Sequence, residues 1–223
     1  MNERELTGYP SIDKPWQQYY SEEALHAPLP GGSMYDYMAA CNADRLEKTA
    51  LNYFGRKFSY RELFCEIDRA AAAFCKIGIS SGTVVMAFAL NTPECIVSIY
   101  ALNRLGAIVD LQYADQSPRE ALENLQCTHA RFILTADTFL PLVQDTLELG
   151  NFGTSVQVIT VSPARSLPPL KRLFLPTPRC RTKADNILSF DGILVGLHDP
   201  IPPGKADDPA LIVHTSGTTG VPK

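Results

Sequence analysis

The run Thr83-Val84-Val85-Met86-Ala87-Phe88-Ala89-Leu90 has no polar face. Side chains alternate across a strand, so such a run must be buried on both sides, as the central strand of a helix-covered parallel sheet is. That requirement calls for helices above and below, and the flanking sequence supplies them. Ser59 and Glu62 make a capping box, after which Tyr60, Leu63, Phe64, Ile67, Ala70, Ala71, Phe74 and Ile77 recur at helical spacing until Gly78. Thr92, Pro93 and Glu94 open a second helix with proline at its first position. Residues 95–105 are almost all apolar, Gly106 closes the helix, and Ala107-Ile108-Val109 returns to the sheet. Ser117, Pro118 and Glu120 repeat the capping pattern before Ala121, Leu122 and Leu125. Residues 131–135 and 156–161 read as strands, with a helix over 140–149 between them. Strands alternating with helices of this length predict an α/β fold, a doubly wound, mostly parallel sheet with flanking helices.

The parts around this body differ in composition. Residues 1–32 form a leading segment in which Pro10, Pro15, Pro28 and Pro30 prevent long helices, and Trp16, Tyr19 and Tyr20 are expected to clamp it by packing. Within 33–161, Ser33 caps a helix over 34–44 with Tyr37 and Met38 turned inward. A strand over 49–54 then turns at Gly55-Arg56 and returns through Lys57-Phe58. The stretch 162–209 is a proline-rich connection. It holds 9 of the 17 prolines, and no acid occurs from 149 to 184, where Arg165, Lys171, Arg172, Arg179, Arg181 and Lys183 carry charge. Without a helical basic face this reads as a solvated, proline-stiffened connection, with a short helix near 186–188 and a further piece over 192–197. Residues 210–223 are a buried strand and the loop it feeds.

Charge and cysteine usage exclude several classes. A net charge of −4 gives no electrostatic ground for nucleic-acid binding. No apolar stretch reaches membrane-spanning length, and the N-terminal Met1-Asn2-Glu3-Arg4-Glu5 lacks the order of a signal peptide. Cys41, Cys65, Cys75, Cys95, Cys127 and Cys180 form no C-x-x-C pair and are expected as packed free thiols, which places the chain in the reducing cytoplasm. Cys127 and His129 alone make neither a metal nor a thiol site.

The chemistry sits at the end. Ala210-Leu211-Ile212-Val213-His214 leads into Thr215, Ser216, Gly217, Thr218, Thr219, Gly220, Val221, Pro222 and Lys223. Glycines permit close backbone approach to a ligand, and successive amides then form an anion-binding concavity. The hydroxyls of Thr215, Ser216, Thr218 and Thr219 add donors, and Lys223 adds a mobile point charge suited to phosphate. Open α/β sheets bind ligands beyond the carboxyl ends of their strands, where this loop lies. The pattern T-S-G-T-T-G-x-P-K fixes eight letters, so chance supplies it on the order of 10⁻¹⁰ per starting position. It is not the common G-x-x-x-x-G-K-[ST] loop, because Gly217, Gly220 and Lys223 run G-x-x-G-x-x-K.

This loop resembles the phosphate loop of adenylate-forming enzymes, the AMP-dependent acyl-CoA synthetase and adenylation-domain superfamily. Phe58-Ser59-Tyr60-Arg61-Glu62-Leu63 resembles that family's early L-T-Y-x-E-L motif. The run from Ala101 to Val109 resembles its second motif, in which a helix ends at Gly-Ala and enters a strand. Both are scaffold elements. The likeness covers the chain from about Ser33 onward, with a departure at Asp110-Leu111-Gln112-Tyr113, where the family has a Val- or Pro-rich bend.

The resemblance implies part of the N-terminal domain of an ATP-dependent carboxylic acid:thiol ligase. Such an enzyme makes acyl-AMP and pyrophosphate, then passes the acyl group to coenzyme A or a carrier-bound phosphopantetheine, with Mg2+ accompanying the nucleotide. The partners implied are a carboxylic acid and an acyl or peptidyl carrier protein, and the setting includes fatty acid metabolism. Thr215, Ser216, Gly217, Thr218, Thr219, Gly220 and Lys223 would hold the β- and γ-phosphates. The adenine pocket, the acyl cleft, the magnesium glutamate and the catalytic lysine of the family fall beyond Lys223. Residues 1–223 alone are therefore expected to catalyse nothing, and no catalytic or metal residue is assigned among them. Two other classes stay open on the loop alone: a phosphoryl-transfer enzyme and a non-catalytic nucleotide-binding module.

Overall fold

The computed structural model describes residues 7–88, 91–113, 115–172, 185–194 and 204–214. It divides into two compact units, Met1–Gly31 and Gly32–Lys223. The first contains α1 (Pro10–Asp13), a 3-10 turn at Pro15–Tyr19 and α2 (Glu22–Leu25). The Asp13 carboxylate gathers the amides of Thr7 and Gly8 at 2.9 and 2.8 Å. Trp16, Tyr19 and Tyr20 are exposed rather than packed.

The second unit begins with α3 (Met34–Cys41), the strands β1 (Thr49–Tyr53) and β2 (Arg56–Ser59), and α4 (Tyr60–Lys76). β1 and β2 pair as an antiparallel hairpin. Its turn falls at Phe54-Gly55, one residue earlier than predicted, because both take positive φ (51° and 94°), the conformation that matches strand twist. In α4 both halves of the predicted capping box form, with the Glu62 carboxylate accepting from the Ser59 amide at 2.7 Å. At its far end the Ile79 amide donates to the Phe74 carbonyl and the Gly78 amide to that of Cys75, each at 3.0 Å, closing a Schellman motif with Gly78 at φ 97°.

Next come β3 (Val84–Phe88), α5 (Pro93–Arg104), β4 (Ile108–Leu111), α6 (Pro118–Thr128), β5 (Phe132–Ala136), α7 (Leu140–Leu149), β6 (Gln157–Val161), α8 (Pro169–Arg172), β7 (Ile187–Ser189), α9 (Phe190–Ile193) and β8 (Leu211–Val213). Six strands make one sheet in the order β7-β6-β5-β3-β4-β8, every pairing parallel. β3 is central, as its two-sided apolarity required. Val85 and Ala87 face a core with Ile67 and Phe74 of α4, Ala101 and Leu102 of α5, and Phe190. Met86 and Phe88 face a second core with Ala121 and Leu125 of α6 and Val143 and Leu147 of α7. Helices thus cover both faces, and each fully buried large side chain contributes about 1.5–3 kcal/mol.

Three local expectations are corrected. In α3 it is Tyr35 and Met38 that meet the core while Tyr37 is exposed. Tyr35 is drawn in by α5, where the Asn103 side chain accepts its amide at 2.9 Å and the Arg104 guanidinium lies 4.8 Å from its ring centroid. Residues 187–189 form β7 rather than a helix, because Ile187 and Leu188 find a parallel partner in β6; the proline-rich stretch thus supplies a strand. β8 is an edge strand among the described residues, with Leu211 and Val213 exposed, so it is not the buried strand its apolar run implied. The cysteines also divide: Cys41, Cys65 and Cys127 are exposed, and only Cys95 is buried. Burial pushes the Cys95 thiol up to about 11, which makes it an inert packing residue. Cys180 lies outside the described residues.

The C-terminal end of α5 determines where β8 lies. The Gly204 amide donates to the Arg104 carbonyl at 2.7 Å, and a Cβ on Gly204 would stand 2.5 Å from the Asn103 carbonyl oxygen. Gly106, at φ 70°, leaves room for Asp208, whose Oδ2 would lie 2.7 Å from an added Cβ. Backbone at van der Waals limits brings the chain beside β4, and the Ala210 carbonyl accepts the Val109 amide at 3.0 Å.

Candidate active site

β8 ends at the carboxyl edge of the parallel sheet and leads into the loop. Thr215, Ser216, Gly217, Thr218, Thr219, Gly220 and Lys223, the residues predicted to grip phosphate, lie outside the described residues. The platform from which they start is described. Asp110 of β4 is fully buried, and its Oδ1 accepts from Nε2 of His214 at 2.7 Å. Nε2 of Gln112 lies 3.1 Å from the same ring nitrogen. That nitrogen carries one hydrogen, directed to the carboxylate, so the amide hydrogens of Gln112 serve Asp110 too. Oε1 of Gln112 in turn accepts from Asn124 of α6 at 2.9 Å and from Gln116 at 3.1 Å. The Tyr113 hydroxyl donates to the His214 carbonyl at 2.5 Å.

Burial pushes the Asp110 carboxyl up, while His214 and Gln112 pull it back down, and its Oδ2 has no partner among the described residues. Beside this network lies a cavity of about 270 Å3, whose lining includes Tyr113, Gln116, Glu120, Asn124 and His214. Glu120 is committed to its cap: the amide and hydroxyl of Ser117 hold its carboxyl below the usual range. Asp110, Gln112, Tyr113 and His214 were not singled out as functional from the sequence. The available signal was the departure itself, an acid and an amide where the strand should run out apolar.

A second polar cluster lies on the opposite face of the sheet, around a cavity of about 380 Å3 between the hairpin, α4, α5 and residues 165–166. Glu94 in the first turn of α5 is 1% exposed. Its Oε1 accepts from the Ser166 hydroxyl at 2.5 Å, and its Oε2 has no partner among the described residues. Arg165, read as part of a solvated basic run, pairs instead with Glu66 at 2.8 Å and Asp191 at 2.6 Å. Desolvation raises the Glu94 carboxyl despite Ser166, Thr92 and Arg165. A raised carboxyl binds its proton more tightly folded than unfolded, so its contribution is fullest below the unfolded value, near 4.5, and is lost as pH rises through the folded one. Glu94→Gln keeps the Ser166 contact without the charge. Its stability relative to the parent is therefore expected to improve as pH rises above about 4.5 and to level off once the folded carboxyl has ionised, read from urea midpoints; a pH-independent difference would rule this out.

Among the described residues no three His, Cys, Asp or Glu side chains come together as a metal-holding group. His129, next to Cys127, serves as the left-handed cap of α6 at φ 52°. No helix among the described residues is long and apolar enough to cross a membrane.

Residues 38–223 match the family model described as AMP-binding enzyme. A crotonobetaine/carnitine–CoA ligase of Proteus mirabilis is 30% identical over 174 residues, 75% of this chain and 30% of that protein. A long-chain-fatty-acid–CoA ligase of Bacillus subtilis is 24% identical over 221 residues, 94% of this chain and 39% of that protein. In fold, the chain is similar to the luciferase-like enzyme of the nonluminescent Zophobas morio mealworm, with a TM-score of 0.70 at 20% identity over 89% of this chain and 43% of that one. A crystal structure of an anthranilate CoA ligase in complex with anthranoyl-AMP superposes with a TM-score of 0.67 at 22% identity over 90% and 34% of the two chains. The chain spans about a third of the length of the curated relatives it matches, 30% and 39% in the two cases above. With the motif series and the parallel sheet in agreement with the match over 38–223, the chain belongs to the AMP-binding enzyme family.

Proposed function

We propose that the complete protein containing this chain is an AMP-forming carboxylic acid:thiol ligase. In the first half-reaction a carboxylate oxygen attacks the α-phosphorus of ATP, the bond to the bridging oxygen breaks, and pyrophosphate leaves. In the second a thiol displaces AMP from the acyl-AMP. The single observation that carries this reading is the loop T-S-G-T-T-G-x-P-K placed directly after a parallel strand that ends at the sheet's carboxyl edge. Thr215, Ser216, Gly217, Thr218, Thr219, Gly220 and Lys223 bind the outer phosphates, orient the α-phosphorus and stabilise the charge on departing pyrophosphate. Magnesium, when bound with the nucleotide, would supply further neutralisation of phosphate charge.

Coenzyme A is the acceptor favoured by the relatives, which are CoA ligases, with carrier-bound phosphopantetheine the other acceptor of the same chemistry. The free thiols fit a cytoplasmic setting. The division into a leading segment (1–32), an α/β subdomain (33–161), a connection (162–209) and a strand with its loop (210–223) is proposed with this reading. The test is exchange of labelled pyrophosphate into ATP by the complete protein over a panel of carboxylic acids. Acid-dependent exchange, with AMP as product, is expected. ADP as product would assign phosphoryl transfer instead, and no exchange with any acid would remove the ligase reading.

A further inference from the structure

β4 and β8 run parallel with Asp110 opposite Ile212 and Leu111 opposite Val213. One step beyond the ladder the same register sets Gln112 opposite His214. Side chains alternate along a strand, so Asp110, Gln112 and His214 share the face covered by α6. The structure uses that coincidence fully. Asp110 holds the imidazole of His214, Gln112 holds Asp110, Tyr113 holds the His214 carbonyl, and Asn124 and Gln116 hold Gln112. One four-residue segment, 110–113, thus grips both ends of the last residue before the glycine- and threonine-rich loop. A strand of three residues with one ladder partner among the described residues has few bonds of its own to keep its exit from fraying.

Folding free energy does not account for an acid here. A fully buried carboxylate with one unpartnered oxygen is costly, and apolar residues of similar volume commonly replace such pairs without loss of stability. What an apolar pair cannot do is fix direction, since charged and hydrogen-bonded partners specify geometry that dispersion leaves free.

We propose that Asp110, Gln112 and Tyr113 are positioning residues that act through His214, fixing where and in which direction the chain leaves β8 at His214 and so aiding polyphosphate binding by the residues that follow. This rests on the reading of those residues as a phosphate grip. Misplacing a grip by about 1 Å costs roughly tenfold to a hundredfold in turnover efficiency without abolishing the fold.

The test uses the complete protein in three forms: Asp110→Val/His214→Leu, which removes the polar pair together; His214→Gln, whose amide nitrogen can still donate to Asp110; and the parent. The single His214→Leu change is avoided, because it strands the buried acid and risks unfolding. The double variant is expected to keep its thermal midpoint within a few degrees of the parent. Its KM for ATP in pyrophosphate exchange should rise about tenfold or more, and hydrogen exchange of a peptide spanning 215–220 should quicken about tenfold while β5 and β6 keep their protection. His214→Gln should return KM to within about threefold of the parent. A double variant with parental KM and parental protection of 215–220 overturns the proposal. If the parent itself shows no acid-dependent exchange, the ligase reading fails separately, and amide protection alone decides the anchoring: faster exchange in the double variant upholds it and unchanged exchange refutes it.

Discussion

Phe74→Ala is expected to destabilise the chain by about 3–5 kcal/mol, the range for deleting a buried aromatic side chain. Phe74 is fully buried in α4, with its ring centroid 5.9 Å from that of Phe190 at an interplanar angle of 55°. It sits where α4, α9 and the central strands meet, in the core that holds Val85, Ala87, Leu134 and Ile159. Its neighbours Ile67, Ala70, Ala71 and Ile79 are themselves fully buried, so no exposed side chain can swing in to fill the void. The loss combines the transfer free energy of the ring with a cavity term, and the tilted contact with Phe190 adds a little more. Urea unfolding of Phe74→Ala and Phe74→Leu against the parent measures it. Leucine should cost much less than alanine, because it keeps most of the volume. Phe54→Ala, at an exposed turn residue, should fall within about 0.5 kcal/mol of the parent. A loss below about 1 kcal/mol for Phe74→Ala would show that α4 and α9 collapse onto each other, and the core would need redrawing.

Lys223→Ala in the complete protein is expected to lower kcat/KM for pyrophosphate exchange by about 100- to 1,000-fold, the effect of removing one preorganised donor from developing negative charge. Lysine suits this role as a compact, mobile charge that meets phosphate oxygens from several directions. Arginine carries the same charge in a rigid fork, so Lys223→Arg should recover only part of the rate. The loss should appear mainly in kcat if the charge acts on departing pyrophosphate, and mainly in KM if it holds only the ground state. A rate within threefold of the parent would take Lys223 out of the phosphate grip while leaving the hydroxyls and amides of 215–220 to carry it.

Much of the scaffold was legible because its cues are local. Ser33, Ser59, Thr92 and Ser117 all cap helices as hydroxyl acceptors, and three of these caps close as reciprocal boxes. Such bonds span three residues, so a linear reading finds them. The two-sided apolarity of 84–88 likewise settled β3 at the centre. Errors fell where distant parts compete. Ile187 and Leu188 are short and apolar enough for either state, and only the free edge of β6 made them a strand. Tyr35 and Tyr37 lie on nearly opposite faces of α3, and which face turned inward was decided by Asn103 and Arg104, nearly 70 positions away, which hold Tyr35. Arg165 belonged to a run of bare positive charge until the fold set Glu66 and Asp191 beside it.

The candidate site divides the same way. The proposed phosphate chemistry rests on the order of glycines, hydroxyls and lysine after 214, because donor type and backbone freedom are properties of the residues themselves. The alternation of strands and capped helices is enough to specify a parallel α/β sheet, because period and caps are local. That Asp110 meets His214 depends on β4 and β8 becoming neighbours in one particular register, across 104 residues of chain. Pairing at that distance is decided by which edges remain free once the core has closed, and no period or motif within the sequence encodes it.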